Sequence, residues 1–199
     1  ESLYYSNEYY LVTVRMPDEA VIELPLKEYL LGVLATNVDP ICHSEVLKAI
    51  SILYRTYVFN KMSNDKEISA FNDFVIYKPI SYYKLVWTTE YEENVKKLEE
   101  AIKETDCLFL SYNDQYILPF IHLCNNGFTY SHDDYPYLKK SKSLWDIGSP
   151  YYMDIKDFNY EQFNINLKCN ITNADTIEIL ETDYKGFVKR LKIKDRVYT

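Results

Sequence analysis

Residues 25–58 read PLKEYLLGVLATNVDPICHSEVLKAISILYRTYV, and their spacing decides how the chain folds. Pro25 stands where a first helical position belongs, and Leu26, Tyr29, Leu30, Val33 and Leu34 recur at intervals of three and four. That pattern is an amphipathic helix of about three turns. Asn37-Val38-Asp39-Pro40 interrupts it, and a second helix is expected from Ser44 as N-cap, with Leu47, Ile50, Tyr54, Tyr57 and Val58 turned inward. The pair makes a helical hairpin with a polar elbow.

Upstream, 9–15 and 20–24 alternate as strands do, and Pro17-Asp18 between them is a favoured turn pair. Downstream, 64–83 has weak periodicity and is expected as a long irregular loop with room for one short strand, a kind of segment often functional or mobile. Residues 90–105 form a helix with Val95, Leu98 and Ile102 on one face and a solvated Glu/Lys face opposite. The β-prone runs 107–112 and 115–122 flank Asn113-Asp114 as a second hairpin. Residues 125–150, rich in Asn, Ser, Asp and Tyr, form an exposed loop region. A third hairpin follows, 176–180 with 187–193 around Asp183-Tyr184-Lys185-Gly186. With no repeat, linker or low-complexity tract, the expectation is one α+β domain over 1–199: a helical hairpin, an additional helix and several antiparallel β-hairpins.

The 199 residues carry 22 Lys plus Arg and 30 Asp plus Glu, a net charge of −8. Nucleic acid is excluded as a main partner, since phosphate binding needs a basic face. With 21 Tyr, 9 Phe and 2 Trp against 4 Gly and 7 Pro, the chain is neither collagen-like nor disordered. Cys42, Cys107, Cys124 and Cys169 form no Cys-x-x-Cys pair, which argues against a zinc ribbon or a dense disulfide scaffold. No stretch approaches the roughly 20 apolar residues of a membrane span.

Two constellations carry little chemistry on inspection. Cys42-His43, His122-Leu123-Cys124 and His132 hold the ligand types for zinc and a thiol beside imidazoles, but only His122 and Cys124 are closely spaced, and no oxyanion-forming motif accompanies them. Asp133-Asp134 and the glutamates of 92–100 offer paired carboxylates, yet their loop and helical settings predict solvation rather than the burial that raises a carboxyl pKa.

The third constellation is more specific. Glu28-Tyr29-Leu30-Leu31-Gly32-Val33-Leu34-Ala35-Thr36-Asn37, then Glu45-Val46-Leu47-Lys48-Ala49-Ile50, then Tyr54-Arg55-Thr56-Tyr57 resembles, in order and spacing, the stage II sporulation protein D family. Those are peptidoglycan lytic transglycosylases that share a domain with amidase-enhancer proteins. Further on, His122, Gly127 and Thr129 fall in register with the family's F-H-S-x-S-G-G-x-T segment, although its serines and first glycine are replaced. Pro136-Tyr137-Leu138-Lys139 resembles its P-Y-L block, and Ser143-Leu144-Trp145-Asp146 stands where S-P-x-D is usual. The resemblance is strongest over 20–150.

It implies a glycan-cleaving site on the helical elbow, in which one glutamate protonates the glycosidic oxygen and then takes a proton from the muramic acid 6-hydroxyl, giving a 1,6-anhydro sugar. Here Asn37 occupies that glutamate's place. An amide hydrogen-bonds but does not transfer protons, a contribution of about 10²–10⁴-fold. Asn37 is thus expected to hold a sugar without cleaving it, and Asn37→Glu to restore some cleavage if the pocket is otherwise intact. Asp39 and Glu45 are the possible stand-in acids. Arg55, His122, Tyr137 and Lys139 are the carried-over substrate-binding positions, Arg55 and Lys139 as residue types that hold carboxylates and Tyr137 as a ring that packs on a sugar face.

Many relatives carry a His- and Cys-containing metal segment after the second helix, whereas 60–90 here has neither residue, so no metal or other cofactor is expected. The expected partner is the peptidoglycan glycan strand, with other cell-wall or sporulation proteins as further candidates. The expected setting is extracytoplasmic, anchored through an upstream segment. The alternatives are an active lytic transglycosylase acting on denuded strands during engulfment and a module that binds a protein partner.

Overall fold

The computed structural model describes every residue except 1–5, 73, 123, 126, 150, 151, 153, 154, 156, 173, 174, 184 and 185. The chain is α+β. It divides into two compact units, 1–121 and 122–199, each taken by itself below.

The first unit opens with β1 (Leu11–Arg15) and β2 (Val21–Pro25), paired antiparallel from Leu11↔Pro25 to Arg15↔Val21. Val12 and Val14 face the core while Leu11 is exposed, the alternation a one-sided strand requires. The turn closes through Met16 N–H donating to the Ala20 carbonyl, with Glu19 at φ 66°. Helix α1 (Leu26–Asn37) begins one residue later than the sequence pattern indicates, with Pro25 as its N-cap. Its first free N–H groups are met by the chain ahead of it: Leu26 N–H donates to the Tyr10 carbonyl and Lys27 N–H to that of Asn7.

Amphipathicity was the expectation for α1, but Tyr29 to Ala35 is one unbroken buried run. The helix is central: α2 (Ser44–Asn64), α4 (Tyr91–Glu104), the β1–β2 hairpin and the turn at 80–82 all pack on it. Each fully buried Leu or Val here contributes about 1.5–3 kcal/mol. α2 starts at Ser44 with His43, not Ser44, as the N-cap, its Nδ1 accepting from Glu45 N–H at 3.2 Å. Leu47, Tyr54, Tyr57 and Val58 are buried as expected, and Ile50 is half-buried.

The irregular segment after α2 contains β3 (Ile68–Ser69), which pairs parallel to β1. A parallel neighbour needs a long crossover, and α1 with α2 supplies it. Residues 70–77 fold back on themselves, with a Phe71↔Ile76 bridge and Tyr77 N–H donating to the Ala70 carbonyl. The short helix α3 (Tyr83–Trp87) leads into α4, whose Leu98, Ala101 and Ile102 are buried. The second hairpin is present but short, β4 (Ser111–Tyr112) with β5 (Gln115–Tyr116), and Asn113 and Asp114 both take positive φ as a tight two-residue turn demands.

The second unit is loop-rich, as expected for 125–150, with a 3-10 turn at Leu144–Gly148. Helix α5 (Tyr160–Leu167), N-capped by Asn159, has no counterpart in the sequence reading. The third hairpin is β6 (Ile177–Thr182) with β7 (Val188–Ile193), extended by a third strand β8 (Arg196–Tyr198). Residues 184 and 185 of its turn lie outside the described residues.

Candidate functional site

α1 ends at the elbow, and two backbone-directed side chains shape that end. Thr36 Oγ1 donates to the Gly32 carbonyl at 2.7 Å. Asn37 Nδ2 donates twice, to the Val33 carbonyl and to the Ile76 carbonyl, each at 2.7 Å, and Oδ1 accepts from Ile76 N–H at 3.3 Å. Two carbonyl oxygens at that distance fix which end of the amide is nitrogen, because an oxygen there would face both lone-pair sets. The half-buried Asn37 side chain therefore has both N–H groups committed to backbone and one lone-pair direction of Oδ1 in use.

Neither stand-in acid is placed to work as a proton donor. Asp39 is exposed and its Oδ1 accepts from Ile41 N–H at 2.9 Å, a local turn bond. Glu45 is exposed at the start of α2, where Lys48 Nζ lies 2.8 Å from Oε1 and also reaches Glu104 at 2.5 Å. The hydrogen bond from Lys48, and then its charge, hold the Glu45 carboxyl below the usual carboxylate range. A general acid needs the opposite shift.

Arg55 is fully buried, which places it in the core and not at a sugar-facing surface. Nε donates to Asn7 Oδ1 at 2.9 Å, Nη1 to the Leu108 carbonyl at 3.1 Å, and Nη2 to the Ile102 carbonyl at 3.2 Å with Ser51 and Thr105 hydroxyls beside it. Burial pushes the guanidinium down to about 10, with Asp106 opposing, so it stays charged near neutral pH. Its work is to satisfy the Ile102 carbonyl in the last turn of α4 and the Leu108 carbonyl beyond it, and to hold Asn7, whose own N–H donates to Asp106 Oδ1 and whose Nδ2 donates to the Ile102 carbonyl.

The other three carried-over positions lie in the second unit. His122 is exposed, with Nε2 2.9 Å from Asn125 Nδ2. Tyr137 is half-buried, its ring 5.8 Å from that of Tyr135, which in turn lies 4.9 Å from the His132 ring. Lys139 is exposed, and its carbonyl accepts from Thr129 Oγ1. Cys124 Sγ is directed at the Asn125 and Asp146 carbonyls. Leu123 and Asn126 of the same segment lie outside the described residues. Among the described residues no three of His, Cys, Asp and Glu converge as metal ligands would.

What sequence reasoning misses is the segment facing Asn37. Tyr77 stacks on Tyr29 at 5.3 Å, and Phe74 packs on Tyr57 at 4.8 Å. A Cβ on Gly32 would lie 2.6 Å from Tyr77 Cε2 and closer still to the Lys78 carbonyl. A glycine inside an otherwise helical run is the available signal, since it costs about 1 kcal/mol against Ala and asks for a packing reason.

The sequence model of the stage II sporulation protein family matches residues 17–112, the stretch that builds this elbow and the helices around it. The chain is 31% identical over 176 residues to stage II sporulation protein D of Bacillus subtilis (strain 168), and likewise 31% identical to that of Bacillus amyloliquefaciens. This chain belongs to the stage II sporulation protein D family. The matches cover 82% of the chain and 51% of each relative, so the chain spans about half the length of the curated relatives it matches. The matched stretch includes the elbow and the helix that carries Arg55, and at the end of α1 the Asn37 amide is spent on backbone. No helix among the described residues is long and apolar enough to cross a membrane.

Proposed function

We propose that this member of the stage II sporulation protein D family binds peptidoglycan glycan strands during sporulation and does not cleave them, acting outside the membrane by recruitment or scaffolding. The observation that carries the reading is Asn37 at the end of α1, a carboxamide with both N–H groups bonded to main-chain carbonyls. Lytic chemistry with a single acid/base needs a carboxyl whose neutral form is populated near neutral pH. Glu45 is held ionised by Lys48, and Asp39 is solvent-facing. Support for binding comes from the contiguous rings of His132, Tyr135 and Tyr137, flat amphipathic surfaces of the kind that pack on sugar faces.

Purified protein incubated with peptidoglycan is expected to sediment with the insoluble polymer and to release no anhydro-muropeptides by mass spectrometry. Clear anhydro product, lost on Asp39→Asn or Glu45→Gln, would establish a working transglycosylase with a displaced acid instead. Failure to sediment, with capture of a defined sporulation protein, would move the function to partner binding.

A further inference from the structure

The amide at position 37 is more than a missing acid. Residues 69–77 are already bonded to themselves: Asn72 Oδ1 accepts from Phe74 N–H and Val75 N–H, each at 2.9 Å, and Asn72 Nδ2 donates to the Ser69 carbonyl at 3.0 Å. What matters for a loop so organised is where it is fastened. It touches α1 at three places: Tyr29 against the Tyr77 ring, Gly32 under Tyr77 and the Lys78 carbonyl, and Asn37 on Ile76. Among the described residues of α1, Asn37 engages it by hydrogen bonds, gripping both the N–H and the carbonyl of one residue 39 positions away, while Ala70 N–H donating to the Arg15 carbonyl ties its start to β1.

We propose that Asn37 is a positioning residue whose carboxamide latches the 70–79 segment onto the C-terminal turn of α1, and that an acid in its place would release the latch. The chemistry is one of donors. Val33 and Ile76 present two carbonyl oxygens to a single atom, and only an –NH₂ group supplies two hydrogens to them. A carboxylate supplies none and faces both oxygens with negative charge. A neutral carboxylic acid supplies one. Amide and acid are therefore exclusive solutions at this position: the chain that holds the segment with Asn37 is not one substitution away from an enzyme. The inference stands on this geometry alone and holds whether or not glycan binds.

The test uses the intact chain and reads stability, not activity. Asn37→Asp keeps the shape of the amide and removes the donors. Its thermal midpoint is expected to fall by about 5 °C or more near neutral pH. Because the carboxyl facing two carbonyls has a folded-state pKa above its unfolded value, the deficit should shrink as the pH falls from about 7 to about 4 and the acid regains one donor. In the unaltered chain, amide exchange should show Ile76 N–H protected at least tenfold beyond an open loop amide, and Asn37→Ala should abolish that protection. Asn37→Glu should lose stability likewise and yield no anhydro product. The proposal is overturned by an Asn37→Asp midpoint equal to the parent's at both pH values, by an unprotected Ile76 amide, or by Asn37→Glu cleaving peptidoglycan with an unchanged midpoint.

Discussion

Arg55 shows how a family motif is to be read at the scale of one side chain. Arg-Thr-Tyr on α2 is a signature that invites a ligand, yet Arg55 has no exposure and five hydrogen-bond partners within the first unit. Truncating it takes the donor from Asn7 Oδ1 and the Leu108 carbonyl and opens a cavity, while the Ile102 carbonyl keeps Asn7 Nδ2; each buried polar group left without a partner costs about 1–3 kcal/mol. Arg55→Ala is thus expected to lose roughly 3 kcal/mol or more in chemical denaturation. Arg55→Lys retains the charge but not the planar fork and should recover only part of that loss. A folded Arg55→Lys protein that keeps full stability but loses sedimentation with peptidoglycan would return the residue to ligand binding. Nothing in residues 54–57 separates the two roles. Apart from Ser51 one turn earlier, the partners come from residues 7 and 102–108, and a side chain's burial is set by elements that its own neighbourhood in sequence does not mention.

At the scale of elements, the helical hairpin, α4 and the three β-hairpins were legible because each writes its own period: three and four for the helices, two for the strands, with Asn113-Asp114 marking a turn that takes positive φ. α1 was legible as a helix but not as a central one, since a helix buried on all sides differs from a half-buried one only in what replaces water on its outer face. Here the replacement is the 70–79 segment, whose own pattern is weak because its order comes from Asn72 and from contacts with α1. Gly32 is the point of closest approach, and Gly32→Ala sets two effects against each other. Helix propensity favours Ala by about 1 kcal/mol. The new methyl would overlap the Tyr77 ring and the Lys78 carbonyl, the second a main-chain atom that cannot swing aside, and overpacking of that kind costs about 1–3 kcal/mol. The expected net result is destabilisation together with faster proteolysis inside 70–79. A more stable variant with unchanged proteolysis would show that the segment is not fastened there. The site itself was legible only as a position: the sequence locates Asn37 and says what it is not, whereas its use as a double donor depends on Ile76.

At the scale of the whole molecule, the 21 tyrosines divide by environment. Tyr29, Tyr54, Tyr57 and Tyr77 are buried in the first unit, and burial pushes each phenol above its ordinary range, Tyr54 to about 12 and Tyr29 further. Folded-state pKa values above the unfolded ones contribute stability that is complete below about pH 10 and is lost as the pH rises through about 12. Tyrosinate absorbance should therefore show a late step in which this buried set ionises abruptly, together with loss of helical circular dichroism. A single smooth titration that finishes before the helical signal changes would contradict the buried assignment. The polar knot of Asn7, Ser51, Arg55, Ile102 and Asp106 carries a different implication, one of order in time. A chain made from its N-terminus exposes Arg55 to the cell long before residues 102–108 leave the ribosome, and α1 has no α4 to lean on until then. The core of the first unit is therefore complete only once its last helix is delivered.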